Sequence, residues 1–306
     1  MIDLNKDYNG EVEEAEVACS TTSPAPGVIE TDVTAQAEET MPIIFLDDVS
    51  VVFKTRTGSI LHPNKVTAVD GVTLRLMPGE TLGIVGESGC GKSTTANVMC
   101  GLQQPTSGKV YFKGTDVTER SAAMRKLIGR VISVVFQDPA TALNARMTVQ
   151  DQLMDPLRVH NIGDAQSRDN RVLELIEMVG LPRSVLQALP GQLSGGQRQR
   201  VAIARALALK PDAIIADEPT SALDVSVRAQ ILNLLMDLKR ELGLSMVFIS
   251  HDIQTVRYIS DQIVVMNGGH VVERGTAAQV FNNPTDDYTR LLLGAAPSLL
   301  HPDLGK

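Results

Sequence analysis

The chain has 306 residues, 43% hydrophobic and 21% charged, an ordinary balance for a globular protein of one large domain or two small ones. With no Trp, four Tyr and six Phe it offers no aromatic stacking platform for nucleic acid, and no apolar run reaches the ~18 residues of a membrane span. Of its 36 acids and 28 bases, ten acids and one base fall in residues 1–40, leaving 26 acids against 27 bases, so the net charge of −8 belongs to a tail and the body lacks a basic footprint.

That tail, residues 1–42, is rich in Glu, Thr, Ala and Pro and is expected to be a solvated, disordered leader. It lacks the basic start and apolar core of a secretory signal. Cys19 lies within it. Together with Cys90 and Cys100 it shows no metal-like spacing, so the three read as reduced thiols and not as a disulfide framework.

Beyond residue 42, short β-branched runs alternate with helical stretches. Strands are predicted at IIFLDDVSVVF (43–53), VTLRL (72–76), TLGIV (81–85), VISVVF (131–136), AIIA (213–216), MVFIS (246–250) and QIVVM (262–266). Several are continuously apolar, as in a sheet covered on both faces by other elements. Between 148 and 209 no strand pattern occurs, while VLELIEMVG (172–180) and the stretch 197–209 have helical spacing. A helical insertion within an α/β body is expected there.

The first chemical signal is GESGCGKST (86–94), which follows the strand TLGIV and opens the helical run TTANVMC. That pattern and context describe a phosphate loop, whereas a chance glycine turn needs neither the strand nor the helix. Residues Gly86, Glu87, Ser88, Gly89, Cys90 and Gly91 would curl backbone N–H groups around phosphate oxygens, with the helix N-terminus adding positive potential through Thr94. Lys92 would hold the β- and γ-phosphates and the Ser93 hydroxyl would ligate Mg²⁺. Gln137, closing VVFQDP, ends another strand with an amide able to reach a metal ion or water.

Next in the chain is LSGGQRQR (193–200). Ser194 and Gln197 fit a capping box after Pro190 and Gly191. Yet Gly195 and Gly196 each cost the helix roughly 1 kcal/mol against alanine, and Arg198 and Arg200 sit near the end that repels cations. A helix start with free N–H groups and no negative charge suits an anion. In DAIIADEPT (212–220) a strand ends in two carboxylates: Asp217 suits a Mg²⁺ ligand acting through water, and Glu218 a base polarising the attacking water. Taken singly such a pair is usually a loop opening. His251, after the strand MVFIS, stands at the same sheet edge, where α/β proteins place ligands.

The ordered set GESGCGKST, Gln137, LSGGQ, Asp217-Glu218, SALD (221–224) and His251 resembles the ATP-binding cassette (ABC) ATPase family across nearly all of residues 43–282. The resemblance implies a phosphate-loop NTPase core with an antiparallel β subdomain and a helical subdomain inserted over 138–211. It also implies a head-to-tail dimer with two ATPs at the interface. Each ATP would lie on one subunit's phosphate loop and Mg²⁺ and be covered by Ser194, Gly195, Gly196 and Gln197 of the other. Asp224 belongs to the SALD loop after the catalytic carboxylate. Phe53 stands where the family stacks an aromatic on adenine; a core Phe is the competing reading.

Within the family, FQDPATALNARMTVQDQLMDPL (136–157) and DEPTSALDVSVRAQILNLL (217–235) are similar to the ATPase subunits of peptide importers. So is NNPTDDYTRLLL (282–293), opening a C-terminal tail of that type over 283–306, although Asp286-Asp287 stands where the subfamily usually carries His-Pro. No cysteine follows Cys100, so the iron–sulfur cluster of some members is not expected. The implied partners are a second cassette (a sister subunit by family habit, or a second copy of this chain, which is chemically competent), two membrane permease subunits and an extracytoplasmic solute-binding protein. The implied location is the cytoplasmic face of a membrane. Nickel or another small solute is an alternative cargo. A soluble ABC ATPase acting on ribosomes or DNA is a further alternative, without the second cassette or coiled-coil insertion those members carry.

Overall fold

Strands that are apolar on both faces must be covered on both faces, and this requirement organises the molecule. The computed structural model describes residues 41–59, 62–119 and 121–295; nearly all of the acidic tail with Cys19, and the end of the C-terminal tail at 296–306, lie outside them. In chain order, β1 (Ile44–Ser59) and β2 (His62–Leu76) form a hairpin, and β3 (Thr81–Val85) leads into α1 (Lys92–Met99). There follow β4 (Ser107–Phe112), β5 (Thr115–Asp116), α2 (Ala122–Val131) and β6 (Ile132–Val135). The helices α3 (Pro139–Ala142), α4 (Val149–Val159), α5 (Ala165–Met178) and α6 (Gly195–Ala206) come before β7 (Ala213–Asp217). The chain continues through α7 (Val225–Leu242), β8 (Ser245–Ser250), α8 (Ile253–Ile259), β9 (Gln262–Asn267) and β10 (His270–Thr276) to α9 (Ala277–Asn282) and α10 (Asp287–Ala295).

The strands make two sheets. Four antiparallel strands run in the order β2-β1-β4-β5, and six run in the order β10-β9-β3-β8-β7-β6. In the second, all neighbours are parallel except β10, which returns antiparallel to β9. Side chains alternate between its two faces. Ile214, Ala216, Met246, Phe248, Ile263 and Val265 pack with the apolar sides of α4 to α8. Their chain neighbours Ala213, Ile215, Val247, Ile249, Val264 and Met266 pack with α1 and the antiparallel sheet, through Leu46, Leu74 and Val110 among others. The expected α/β class with an antiparallel β subdomain is therefore what forms, and the apolar runs reflect burial on both sides.

Three strands, β4, β5 and β10, have no counterpart among those predicted. SGKVYF and HVVERGT mix Gly, Lys, Glu and Arg into their runs because they are half-exposed, and TD is exposed throughout. Such segments carry only weak period-2 alternation. The first strand also runs six residues past its predicted end, across register shifts that a simple alternating pattern does not announce. Thr148 and Asp164 cap α4 and α5 by accepting from the N–H groups of Asp151 and Ser167. Among the described residues no helix is long and apolar enough to cross a membrane.

Phe248 is 0% exposed and sits on the sheet face packed by α6 and α7. Phe248→Ala is expected to lower stability by about 3–5 kcal/mol, seen as a fall in denaturant midpoint without change in slope.

Candidate functional site

Because β3, β6, β7 and β8 are parallel, their carboxyl ends share one edge, and the segment leaving each end carries polar side chains. A cavity of about 550 Å³ opens there, lined by Ala68, Ser88, Gly89, Gly91, Lys92, Ser93, Thr94, Gln137, Glu218 and His251. Four separate stretches of chain thus deliver the predicted phosphate loop, amide, carboxylate and imidazole to one place. Ala68, from β2, was not singled out in the sequence, since it contributes only a small side chain and its backbone.

The loop between β3 and α1 demands glycine at two points. A Cβ on Gly86 would lie 2.2 Å from the Met266 carbonyl oxygen, and one on Gly91, at φ 106°, would lie 2.4 Å from that of Ala68. Lys92 is 5% exposed. Its Nζ donates to the carbonyls of Gly86 and Glu87, each at 2.7 Å, and lies 3.8 Å from Sγ of Cys90. An ammonium has three donors, and the third, bonded only to the weak sulfur acceptor, is the one a phosphate oxygen would claim. On the outer side of the loop, the Glu87 N–H donates to Oη of Tyr288 at 3.0 Å, a contact the sequence did not foretell.

Behind the loop, Ser93 Oγ lies 3.4 Å from Asp217 Oδ1. Burial pushes the Asp217 carboxyl up from its ordinary value, aided by the neighbouring Glu218 charge; the Ser93 hydroxyl and Lys92 act the other way. Glu218 follows β7 in the left-handed region, at φ 46°, a conformation costing a non-glycine residue of order 1–3 kcal/mol. Its N–H is fixed by the Ile249 carbonyl at 2.9 Å, and its carbonyl takes the N–H and hydroxyl of Ser221. This turn sends the carboxylate between two partners: Gln137 Nε2 donates to Oε2 at 3.0 Å, and His251 Nδ1 lies 3.1 Å from Oε1. An ionised carboxylate only accepts, so Nδ1 carries the proton and Nε2 is left for a second group.

The other predicted residues do not line this cavity. Ser194 caps α6 in a full capping box, accepting from the Gln197 N–H at 3.2 Å while Gln197 Oε1 accepts the Ser194 N–H at 2.9 Å. Gly196 is close-packed on the start of α7, where a Cβ on it would lie 2.7 Å from the Val227 side chain, while a Cβ on Gly195 would only touch Leu223 at 3.5 Å. Asp224, the N-cap of α7, is exposed and makes no side-chain cap. LSGGQ and SALD therefore form a second surface apart from the cavity. The two arginines differ: Arg198 donates to the carbonyl of Leu193, the residue before the N-cap, and so stays at the helix start, whereas Arg200 donates to that of Val179 at the end of α5, each at 2.6 Å. Arg198 braces the LSGGQ loop and Arg200 ties α6 to α5. Phe53 is 41% exposed opposite Val66 in the β1–β2 hairpin, which excludes the core reading but does not bring it to the cavity lining.

A second cavity, of about 580 Å³, lies at the other end of the strands between Ile43, Pro78, Lys113, Arg171, Asp212 and Leu244, and no predicted site residue borders it.

Residues 69–221 match the family model described as ABC transporter. The chain is 44% identical to the dipeptide transport ATP-binding protein DppF of Haemophilus influenzae, over 87% of this chain and 81% of that one. It is 46% identical to the oligopeptide transport ATP-binding protein AppF of Bacillus subtilis, over 86% and 80%. Among solved structures, the dimeric ATP-binding cassette MJ0796 bound to ADP and Pi superposes with a TM-score of 0.68 at 34% identity, covering 76% of this chain and 98% of that one.

Since Ser194 supports α6 in the free subunit, Ser194→Ala is expected to cost about 1 kcal/mol, a fall of about 2–4 °C in the thermal midpoint of the isolated chain.

Proposed function

The chain belongs to the ABC transporter ATPase family, and from this premise we propose that it hydrolyses ATP to drive a peptide importer. The observation that carries the reading is the Gln137–Glu218–His251 cluster at the mouth of a phosphate-loop cavity. A lone acid after a strand has many uses. An acid locked by two partners beside a phosphate loop suits the activation of water.

The loop amides and the third donor of Lys92, given up by the Cys90 sulfur, bind the β- and γ-phosphates. The oxygen donors Ser93, Gln137 and Asp217 fit Mg²⁺, which takes few protein ligands and would relieve the desolvated Asp217 carboxylate; when bound it neutralises phosphate charge. Glu218 accepts a proton from water as the water oxygen bonds to the γ-phosphorus and the bond from phosphorus to the β,γ-bridging oxygen breaks, leaving ADP. Gln137 and His251 hold the Glu218 carboxylate towards that water, and Nε2 of His251 is left to meet the γ-phosphate or the water.

The second surface completes the account. Ser194, Gly195, Gly196 and Gln197 lie apart from this chain's own cavity, so this helix start, whose N–H groups the Ser194–Gln197 capping box pairs only in part, serves an ATP bound to a partner cassette, with Asp224 alongside. The partner is a second cassette, and the pair is held under two permease subunits supplied with peptide by a solute-binding protein. The peptide cargo follows the names of the most similar relatives quoted above.

Glu218→Gln keeps the size and hydrogen bonding of the side chain but removes the base. Steady-state phosphate release by the assembled complex is expected to fall at least ~100-fold, with ATP binding retained. Phosphate release near the wild-type rate would remove Glu218 from the chemistry.

A further inference from the structure

One peptide unit of the phosphate loop is gripped at both ends. Its carbonyl, on Gly86, accepts Lys92 Nζ at 2.7 Å, and its N–H, on Glu87, donates to Tyr288 Oη at 3.0 Å. Tyr288 belongs to α10, more than 190 positions further along the chain, and is partly buried. Burial pushes its phenol up from the ordinary value, so the group stays a neutral O–H that accepts from Glu87.

The hydroxyl is itself held in place. Asp286 Oδ1 accepts the N–H groups of Tyr288 at 2.8 Å and Thr289 at 3.4 Å, and so caps α10 where the importer subfamily usually has a histidine. The segment before it is anchored on Glu273, an 8% exposed carboxylate of β10. Glu273 accepts the Thr285 N–H at 2.8 Å, the Thr285 hydroxyl at 3.0 Å and the Asp286 N–H at 3.2 Å. Hydrogen bonds therefore run unbroken from the sheet through Glu273, Thr285, Asp286 and Tyr288 to the outer side of the loop. Glu87 is absent from the cavity lining, so its N–H is taken by the protein and not kept for a ligand.

We propose that Tyr288 is a positioning residue of the nucleotide site: its hydroxyl sets the orientation of the Gly86–Glu87 peptide and, through the Gly86 carbonyl, the seat of the Lys92 ammonium. The inference rests on the reading that this loop binds ATP. It gives the C-terminal helix a task in nucleotide binding, although none of its residues lines the cavity. Without the hydroxyl the Gly86–Glu87 peptide is free to rotate, and Lys92 loses one of the two carbonyls that aim it.

The test compares Tyr288→Phe with wild type in the full chain, titrating Mg-ATP against a bound fluorescent ATP analogue and measuring phosphate release by the assembled complex. One neutral hydrogen bond predicts an affinity loss of about 2- to 10-fold, matched by a rise in KM. The maximal rate is expected to stay unchanged, and the thermal midpoint of the nucleotide-free chain to fall by no more than the few degrees that one lost hydrogen bond costs. Glu273→Gln, which keeps the Tyr288 hydroxyl but weakens its anchor, is expected to shift affinity the same way by less. Wild-type affinity in Tyr288→Phe overturns the proposal, as does a loss appearing equally in nucleotide-free stability and in rate, which marks a mere tether for α10. A wild-type chain that does not bind Mg-ATP at all overturns the underlying reading, so the two failures are told apart.

Discussion

A loop that binds phosphate must leave its own N–H groups unpaired, so something other than those N–H groups has to hold it in shape. Here that support is the Lys92 ammonium, buried and bonded to the carbonyls of Gly86 and Glu87 from within the loop's own curve. Everything else at the site is arranged around that contact. β3 and β8 supply a rigid edge, the Met266 and Ala68 carbonyls come so close that only glycine fits at 86 and 91, and Tyr288 takes the Glu87 N–H. A buried cation satisfied by carbonyls would be a poor investment in stability alone, since its desolvation is costly. It makes sense where the third donor, bonded only to the weak Cys90 sulfur, has work to do.

The same division between support and chemistry runs through the carboxylates. Asp217 and Glu218 are adjacent in sequence but face different tasks because the backbone changes region between them. Asp217 ends β7 with its side chain towards Ser93, in surroundings that disfavour its charge. Glu218, in the left-handed region, points instead to Gln137 and His251. Strain of this kind persists only when surrounding bonds over-determine it, and the Ile249 carbonyl and the Ser221 N–H and hydroxyl do so here.

The two cores explain how distant parts of the chain are kept in register. One face of the parallel sheet packs on the helical layer and the other on α1 and the antiparallel sheet, so a shift of any central strand would expose apolar side chains on one face or the other. The LSGGQ start of α6 is fixed relative to the start of α7 by Gly196 against Val227, and to the loop before it by Arg198. A subunit whose phosphate loop and LSGGQ surface are each rigid, and apart, is suited to sharing ATP with a partner.

What the sequence determined by itself was whatever depends on near neighbours: the phosphate loop with its flanking strand and helix, the capping box at Ser194, the carboxylate pair closing β7, and the central strands. Those strands are legible because burial on both faces leaves continuous apolar runs. Half-exposed β4 and β10 leave no such trace, and their pairing comes only from the partner strands that hydrogen-bond to them. Where a long side chain points was likewise decided in three dimensions. Arg198 and Arg200 looked alike as charges at a helix end, but the Val179 carbonyl of another segment takes Arg200 while Arg198 stays at that end on the Leu193 carbonyl. Phe53 could have been core or surface by composition, and the position of the β1–β2 hairpin makes it surface. Tyr288 carries no local sign of its contact with Glu87, because a hydrogen bond between residues so far apart in the chain exists only once the sheet, Glu273 and α10 have folded together. Sequence spacing encodes contacts within a turn or two; the tertiary fold alone sets the rest, since it decides which buried polar groups must find one another.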